Sequence, residues 1–320
     1  MGNLSVVVVN WNGRALLGDC LASLQAQTLP NLEVVLVDNG STDDSVSFAR
    51  REFPRVAVLD LGQNHGFAGG SNRGIAATSG EFVALLNNDA VAEPFWAERL
   101  LSAAADPKVG IAASRVLLHA NRGRLDSAGD GMTTVGVAFK RGHLEPAERF
   151  GNEQTVFGAS GCAMLLRRAM LEDVGVFDED FFLIYEDADL CFRARLRGWT
   201  CRYAPEAVVY HKLNASIGRL SSTHVYYGQR NAELVYFKNM PGSLLWKHLP
   251  AHLANAAAGA VYFATKGKLL SFLRAKLAAA RALPEVARKR RAIQARRRVA
   301  PSEIEAMLER RWLRARRAGK

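Results

Sequence analysis

Five short apolar runs, Ser5–Val9, Val34–Val37, Val56–Leu59, Phe82–Leu86 and Val109–Ala113, recur through the first third of the chain. Each is bounded by polar residues or glycine and is too short for a helix, so each reads as a buried strand. Helical patterns lie between them, over Ala15–Gln25, from Ser41 and Asp43–Asp44 to about Phe53, over Ser71–Thr78 and over Phe95–Ala105. Strands that alternate with helices cross over and align in parallel, with helices covering both faces. The pattern predicts an α/β fold, Rossmann-like, with a mostly parallel sheet.

The polar residues that close these runs carry the functional signal. Phe82–Leu86 ends in Asn87, Asn88 and Asp89; other runs end at Asn10 and Asn12, and at Asp38 and Asn39. Ala207–Tyr210 reads as a last strand ending at His211. Ligands of open α/β sheets bind beyond the carboxyl ends of strands, so residues far apart in sequence can share one site there. A carboxylate flanked by amides suits a hard cation carrying phosphates. Asp89 and His211 can both ligate a divalent ion. Asp38 can accept a hydrogen bond from a ring N–H such as that of uracil or thymine. An Asp at a strand end more usually just turns the chain before a helix, and Asp89 on this stretch alone fits that reading too.

Beyond Ala113 the pattern loosens. Residues 115–160 are rich in glycine and charge and read as an insertion or loop over the site. Ala163–Leu166 reads as a strand, and Glu186–Arg197 and His224–Asn239 as helices. In the run Tyr185-Glu186-Asp187-Ala188-Asp189-Leu190-Cys191-Phe192-Arg193, three carboxylates open a helix, where they complement its dipole. Asp189 pairs with Arg193 one turn on. Glu186 and Asp187 point about 100° apart on a helix, so one can face a cleft while the other is tied down. An unprotonated carboxylate there could serve as general base toward a sugar hydroxyl. The segment from Asn64 to Gly74, NHGFAGGSNRG, is neither a P-loop nor a dinucleotide fingerprint. It reads as a glycine-rich loop, Gly66–Gly70, entering a helix whose N-terminus would favour an anion. A tight loop without a ligand fits equally well.

The chain of 320 residues carries a net charge of +11, unevenly spread. Residues 266–320 hold 18 Lys/Arg against 4 Asp/Glu, and residues 1–265 hold 24 against 27. The composition shifts beyond Pro241 to Leu, Ala, Arg and Lys, and a boundary is expected there: a catalytic domain over 1–240 and a helical, basic extension over 241–320. Lys268–Leu283 places Leu269, Phe272, Leu273 and Leu277 at helical spacing among basic residues. Such a helix can lie in an anionic membrane interface or pack on the domain with its basic face solvated. The runs Arg288–Arg291 and Arg296–Arg298 favour an anionic surface. Residues 249–263 are apolar but fall below spanning length. Cys20, Cys162, Cys191 and Cys201 form no CxxC pair and read as reduced thiols. The N-terminus has no secretory pattern, and Val6 disfavours myristoylation of Gly2.

Seven segments, VVVVNWNG (6–13), VDNGSTDDS (37–45), NHGFAGGSNRG (64–74), LLNNDA (85–90), GASGCAMLLRR (158–168), FDEDFFLIYEDADLCFRARLRGW (177–199) and VVYHKLNAS (208–216), together resemble glycosyltransferase family 2 in order and approximate spacing. The resemblance covers about residues 4–240 and is nearest to the family's bacterial rhamnosyltransferase-like branch. It implies a GT-A fold. Asp38 would contact the nucleotide base, and Asn10, Asn64 and Arg73 would lie near the nucleotide-sugar. Asn88 and Asp89 occupy the place of the DxD-type motif, with Asp89 and His211 as ligands of a divalent cation, Mg²⁺ or Mn²⁺. Asp187 of the Glu186–Asp187 pair would be the base. The chain departs from the family in having one carboxylate in NND, and in having Asn214 where the branch commonly has Gly.

The resemblance implies an inverting transfer from a dTDP- or UDP-sugar, with rhamnose favoured, to a glycan or lipid-linked acceptor in cell-envelope polysaccharide synthesis. The enzyme would work in the cytoplasm, peripheral at the inner face of the membrane. A nucleotidyltransferase would offer a basic glycine-rich loop after the first strand, where this chain has Asn10-Trp11-Asn12-Gly13-Arg14. A nucleic-acid binder would use the basic tail, but the near-neutral first 265 residues with their set of motifs point away from a specific nucleic acid. A catalytically inactive relative stays open.

Overall fold

The computed structural model describes residues 3–213 and 220–310; Gly2, Asn214 and the last ten residues of the basic tail lie outside them. Its first part follows the alternating order: β1 (Leu4–Asn10), α1 (Arg14–Gln25), β2 (Glu33–Asp38), α2 (Ser45–Glu52), β3 (Ala57–Asp60), α3 (Gly66–Ala76) and β4 (Phe82–Leu86). β1 pairs in parallel with both β2 and β4, and β2 with β3. β1 faces both ways because successive side chains of a strand alternate. Val6 and Val8 pack toward Leu17 and Leu21 of α1, and Val7 toward Ile75 of α3. Both faces of the sheet are therefore covered, as the apolar runs require.

The rest of the sheet is mixed. After β5 (Ala90–Ala92) and α4 (Trp96–Ala103), the long β6 (Val109–Leu118) turns back into β7 (Asn121–Ala128). There follow β8 (Asp130–Met132), β9 (Ala138–Lys140), β10 (Gln154–Val156) and β11 (Ala163–Arg167). The hairpin reverses the chain, so β11 enters between β4 and β6 antiparallel to both. After α5 (Arg168–Val174) and α6 (Glu186–Arg197), β12 (Thr200–His211) lies parallel to β6 and antiparallel to β5. Residues 115–160, read from sequence as an insertion or loop, thus hold the end of β6 and four further strands, β7 to β10. Their glycines and charges belong to turns and to a polar cluster beneath the site.

Four helices follow: α7 (Ser222–Asn239), α8 (Gly242–Thr265), α9 (Leu269–Ala295) and α10 (Pro301–Met307). One hydrophobic cluster joins Phe181, Phe192 and Leu196 to Leu234 and Tyr236 of α7, Leu245 of α8, Val286 of α9 and Ile304 of α10. The core thus runs without interruption across Pro241. α9 packs through Phe272, Ala275, Ala279 and Val286. Part of the basic run on and just beyond this helix is engaged with the protein itself. Lys289 binds Asp178 (2.6 Å) and Asp180 (2.7 Å), Arg290 donates to the carbonyls of Phe237 and Met240, and Arg296 to that of Asp173. Among the described residues no helix is long and apolar enough to cross a membrane.

A buried ionic knot locks α6 to α7. Asp189, fully buried, accepts from Arg193 (2.8 Å) as its spacing predicts, and also from Lys238 (2.8 Å) and Asn239 (2.7 Å). Removing one partner of such a group leaves buried charge uncompensated. We expect Asp189→Ala to lower unfolding free energy by about 3 kcal/mol or more, read as the shift in urea midpoint at unchanged slope.

Candidate active site

The carboxyl ends of β1, β2 and β4 bring together the residues that close them. Asn10, fully buried, donates to Asp38 Oδ2 (3.0 Å) and to Ser41 Oγ (3.2 Å), and its Oδ1 accepts from Asn88 Nδ2 (2.8 Å). Asp38 Oδ2 also accepts from the Ser41 hydroxyl (2.7 Å), and Oδ1 from the Ser41 amide (2.8 Å). Asp38 is fully covered, so a base reaches it only if the Ser41–Thr42 turn, bonded to Asn12, shifts aside. A Cβ on Gly13 would stand 2.2 Å from Asn88 Nδ2 and 2.4 Å from Asn10 Oδ1. Glycine at this position is what leaves room for the asparagine bridge.

Beside this bridge lies the second cluster. His211, at the end of β12, has Nε2 3.2 Å from Asp89 Oδ1 and Nδ1 2.9 Å from Asp126 Oδ2. Asp126, fully buried on β7, also receives Lys140 Nζ at 2.7 Å and His143 Nδ1 at 3.2 Å. Burial alone would raise the Asp126 pKa, but the hydrogen bonds of both histidines and the Lys140 charge hold it far below the usual carboxylate range. Burial would likewise lower the His211 pKa, but Cys162, Asp126 and Asp89 outweigh it and push it up. No cluster of three or more metal-ligating side chains occurs among the described residues. The protein can offer the Asp89–His211 pair, with Asp126 orienting the imidazole from behind.

The third group opens α6. Asp187 is half-buried; its Oδ2 accepts from the Gly161 amide (2.8 Å) and its Oδ1 from the Ala188 amide (2.7 Å). The Gly161–Cys162 loop also touches the Asp89 turn, through the Asn87 amide on the Cys162 carbonyl (2.8 Å). Burial pushes the Asp187 pKa up, and those amides work against it. Asp130, on β8, is pushed up to about 7 by burial and by the Asp187 charge. Of the sequence pair, Glu186 is the one turned inward: it is buried, its Oε2 has no hydrogen-bond partner, and burial and Asp187 raise its pKa well above the ordinary value.

The segment that aims Asp187 is strained. Phe182, Ile184 and Tyr185 adopt positive φ (61°, 65° and 76°), a conformation costly for side-chain-bearing residues. Asn231 of α7, fully buried, holds them by donating to the carbonyls of Phe181 (2.9 Å), Leu183 (2.9 Å) and Ile184 (2.7 Å).

The glycine-rich segment behaves differently from its sequence reading. α3 begins at Gly66 itself, so Gly69, Gly70 and Gly74 are helical rather than a ligand loop. A Cβ on Gly74 would stand 2.3 Å from Val7, and one on Gly70 2.9 Å from Val9. These glycines let the helix lie close on the sheet. Asn64 accepts from Asn39 (3.1 Å) and from the Gly66 amide (2.8 Å), capping the turn beside Asp38. Arg73 is held by Glu179 (3.3 Å) and the Gly69 carbonyl (2.9 Å), with no bond to the Asn10–Asp38 group. Sequence reading missed Gly13, Asp126, Asp130, Lys140 and Asn231. For Asp126 and Asp130 the visible clue was two isolated acids among small residues in LDSAGDGM.

The chain's similarities agree with this geometry. The family model described as Glycosyl transferase family 2 matches residues 5–175. An N-acetylglucosaminyl-diphospho-decaprenol L-rhamnosyltransferase of Mycobacterium tuberculosis is 32% identical over 250 residues, covering 69% of this chain and 80% of that protein. Mannosyltransferase PcManGT from Pyrobaculum calidifontis, solved with GDP-Man and Mn²⁺, superposes with a TM-score of 0.58 at 20% identity, covering 92% of this chain and 84% of that one. S. aureus TarS 1-349 in complex with UDP-GlcNAc gives 0.58 at 18%, covering 91% and 88%. At these identities the two structures speak for the fold alone.

We expect Gly13→Ala to break the Asn10–Asn88 bridge, weaken nucleotide binding about tenfold, the equivalent of one lost hydrogen bond, and lower the melting temperature because Asn10 Oδ1 is left buried without its donor. Titration calorimetry with nucleoside diphosphates checks this.

Proposed function

Because the chain belongs to glycosyltransferase family 2, we propose that it moves a sugar, rhamnose in the favoured reading, from a dTDP- or UDP-sugar to a hydroxyl of a glycan or lipid-linked acceptor, with inversion, in cell-envelope polysaccharide synthesis. The observation that carries this is the convergence of Asp89–His211 and Asp187 around the Gly161–Cys162 loop at the carboxyl edge of the sheet. The named acceptor of the mycobacterial relative supports a lipid-linked substrate, and hence placement at the cytoplasmic membrane face. We take residues 1–240 as the catalytic domain and 241–320 as the helical extension that buttresses it.

In this reading Asn10 and Asn88 shape the donor site, and Asn64 supports the turn that bounds it. Asp38 Oδ1, whose partner is the Ser41 amide, takes a pyrimidine N3–H once the Ser41 turn moves. Arg73 flanks the donor if it leaves Glu179. Asp187 accepts the proton of the acceptor hydroxyl while that oxygen bonds to the anomeric carbon and the bond to the diphosphate oxygen breaks. The developing positive charge on the sugar ring resembles that in glycoside hydrolysis. The half-buried Asp187 is the base, and the buried Glu186 supports the helix start rather than touching the acceptor. Asp89 and His211 fit a divalent cation, Mg²⁺ or Mn²⁺, because they pair a hard carboxylate with an imidazole fixed from behind by Asp126. When bound, such a cation would offset the charge of the leaving nucleoside diphosphate.

The test is thermal stabilisation by UDP, dTDP, GDP and ADP with Mn²⁺, Mg²⁺ or chelator. We expect metal-dependent stabilisation by UDP or dTDP, lost in Asp89→Ala; stabilisation by no nucleotide would sink the reading. Asp187→Asn should keep donor binding and lose at least about a hundredfold in turnover, the scale of a general base. A base must be deprotonated, so its raised pKa puts the acid limb of kcat above the ordinary Asp range. Asp130, raised by burial and by the Asp187 charge, stays protonated while Asp187 titrates, so Asp130→Asn should leave that limb where it is. A pH–rate profile of both forms decides.

A further inference from the structure

The helical extension turns an apolar surface to solvent that the transfer reaction does not use. On α8, Trp246 (72% exposed), Leu253 and Val261 (67% exposed) are spaced seven and eight residues apart, which returns them to one face of the helix. On α9, Leu270 (62% exposed), Leu273 and Leu277 repeat the same device. The inner faces of both helices are occupied: Leu244, Leu245 and His252 of α8 and Phe272, Ala275 and Ala279 of α9 are buried. Phe263 stacks on Phe272 (5.7 Å between ring centres), closing the two helices into a hairpin whose outer side carries the exposed residues. Apolar exposure repeated at helical spacing along both helices marks an interaction surface.

Charge identifies the occupant. From Leu234 to Pro284 the chain has no Asp or Glu, yet carries seven Lys/Arg. Lys266, Lys268, Arg274 and Arg281 lie on the hairpin itself, at its turn and along α9. Further along the chain, by contrast, Lys289, Arg290 and Arg296 are consumed in clamps on the domain. An apolar stripe carrying an indole, flanked by cations and free of acids, suits an anionic bilayer interface.

Position links this surface to the site. Lys268 Nζ lies 3.4 Å from Ser222 Oγ, so the hairpin turn sits at the N-terminus of α7. On the next turns of α7, Tyr227 stacks on Phe182 (5.4 Å), whose carbonyl accepts from the Ala68 amide (3.2 Å). The strained segment leading to Asp187 starts at that same Phe182.

We propose that the outer side of the α8–α9 hairpin is a monotopic docking face for an anionic lipid bilayer, which sets the Phe182–Asp187 edge of the site toward the membrane. The inference deepens the membrane placement in the proposed function, but binding to lipid can be scored without any transfer. Full-length protein is floated with vesicles of phosphatidylcholine, with or without phosphatidylglycerol. Two variants are compared: Leu253→Glu/Val261→Glu/Leu273→Glu, and Lys266→Gln/Lys268→Gln/Arg274→Gln/Arg281→Gln. All seven side chains lie outside the buried core, so the fold should survive, as circular dichroism would verify.

Capture by the anionic vesicles, reduced at least about tenfold in each variant, is the expected result. Quenching of tryptophan emission by brominated lipid should fall in Trp246→Phe. Capture that ignores the lipid charge, survives the glutamate variant or never occurs overturns the proposal. So does a solution dimer that the glutamate variant splits, because a second copy would then own the face. Transfer to a water-soluble acceptor without vesicles should be unchanged in both variants. If native protein is captured by lipid yet transfers to no acceptor, the transferase reading fails and the docking face stands.

Discussion

A buried carboxylate held by a lysine and two imidazoles organises the carboxyl edge of the sheet. Asp126 sits on β7 with no exposure, and its position is defined by Lys140 from the β9 strand, His143 just beyond it and His211 from β12. A lone ionised carboxylate in such a place would be very costly. Lys140 and His211, from two separate strands, donate to it and offset that cost, and in doing so fix how those strands can pack. The imidazole of His211 is thereby presented to Asp89 in a single orientation. The irregular half of the sheet is thus no decoration of the parallel half: it brings the group that aims the last strand's terminal residue.

Much of this was legible in the chain. The runs at Ser5, Val34 and Phe82 are strands because their apolar residues have no polar face to turn to water, and that pattern is local. The closing residues Asn10, Asp38, Asn88, Asp89 and His211 meet because parallel strands end on one edge, which follows from topology alone. What could not be read were the pairings that topology leaves free. Asp126 and Lys140 look like solvated charges in a glycine-rich stretch until the β6–β7 hairpin folds them inward. The glycines of Gly69–Gly74 suggested a ligand loop, because sequence shows the missing side chain but not what fills the space. Here Val7, Val9 and Asn39 fill it.

The C-terminal helices teach a similar lesson about charge. A run such as Arg288–Arg291 invites a reading in terms of an external polyanion. In the fold, Lys289 and Arg290 meet Asp178, Asp180 and the carbonyls that end α7. Those carbonyls belong to a helix terminus, where cations are favoured. Composition locates an excess of charge but cannot say which of its members face inward. The family match stops at residue 175, short of α6, His211 and α7. The matched part of the fold therefore depends on the later part for Asp187, the base of our proposal, and for Asn231, the α7 residue that holds the segment leading to it.

The backbone before Asp187 has a consequence for anyone who sets out to make this protein more robust. Glycine at 182, 184 or 185 would relieve a left-handed residue, a substitution that ordinarily adds stability. Here the side chains earn their strain: the Phe182 ring stacks on Tyr227, and the Tyr185 hydroxyl accepts from the Ala138 amide. Relaxing the segment would give up those contacts and leave a less well-aimed carboxylate. In a search for heat-resistant variants this loop is the place where the melting temperature would be a misleading guide, and where a gain in it should raise suspicion of lost turnover.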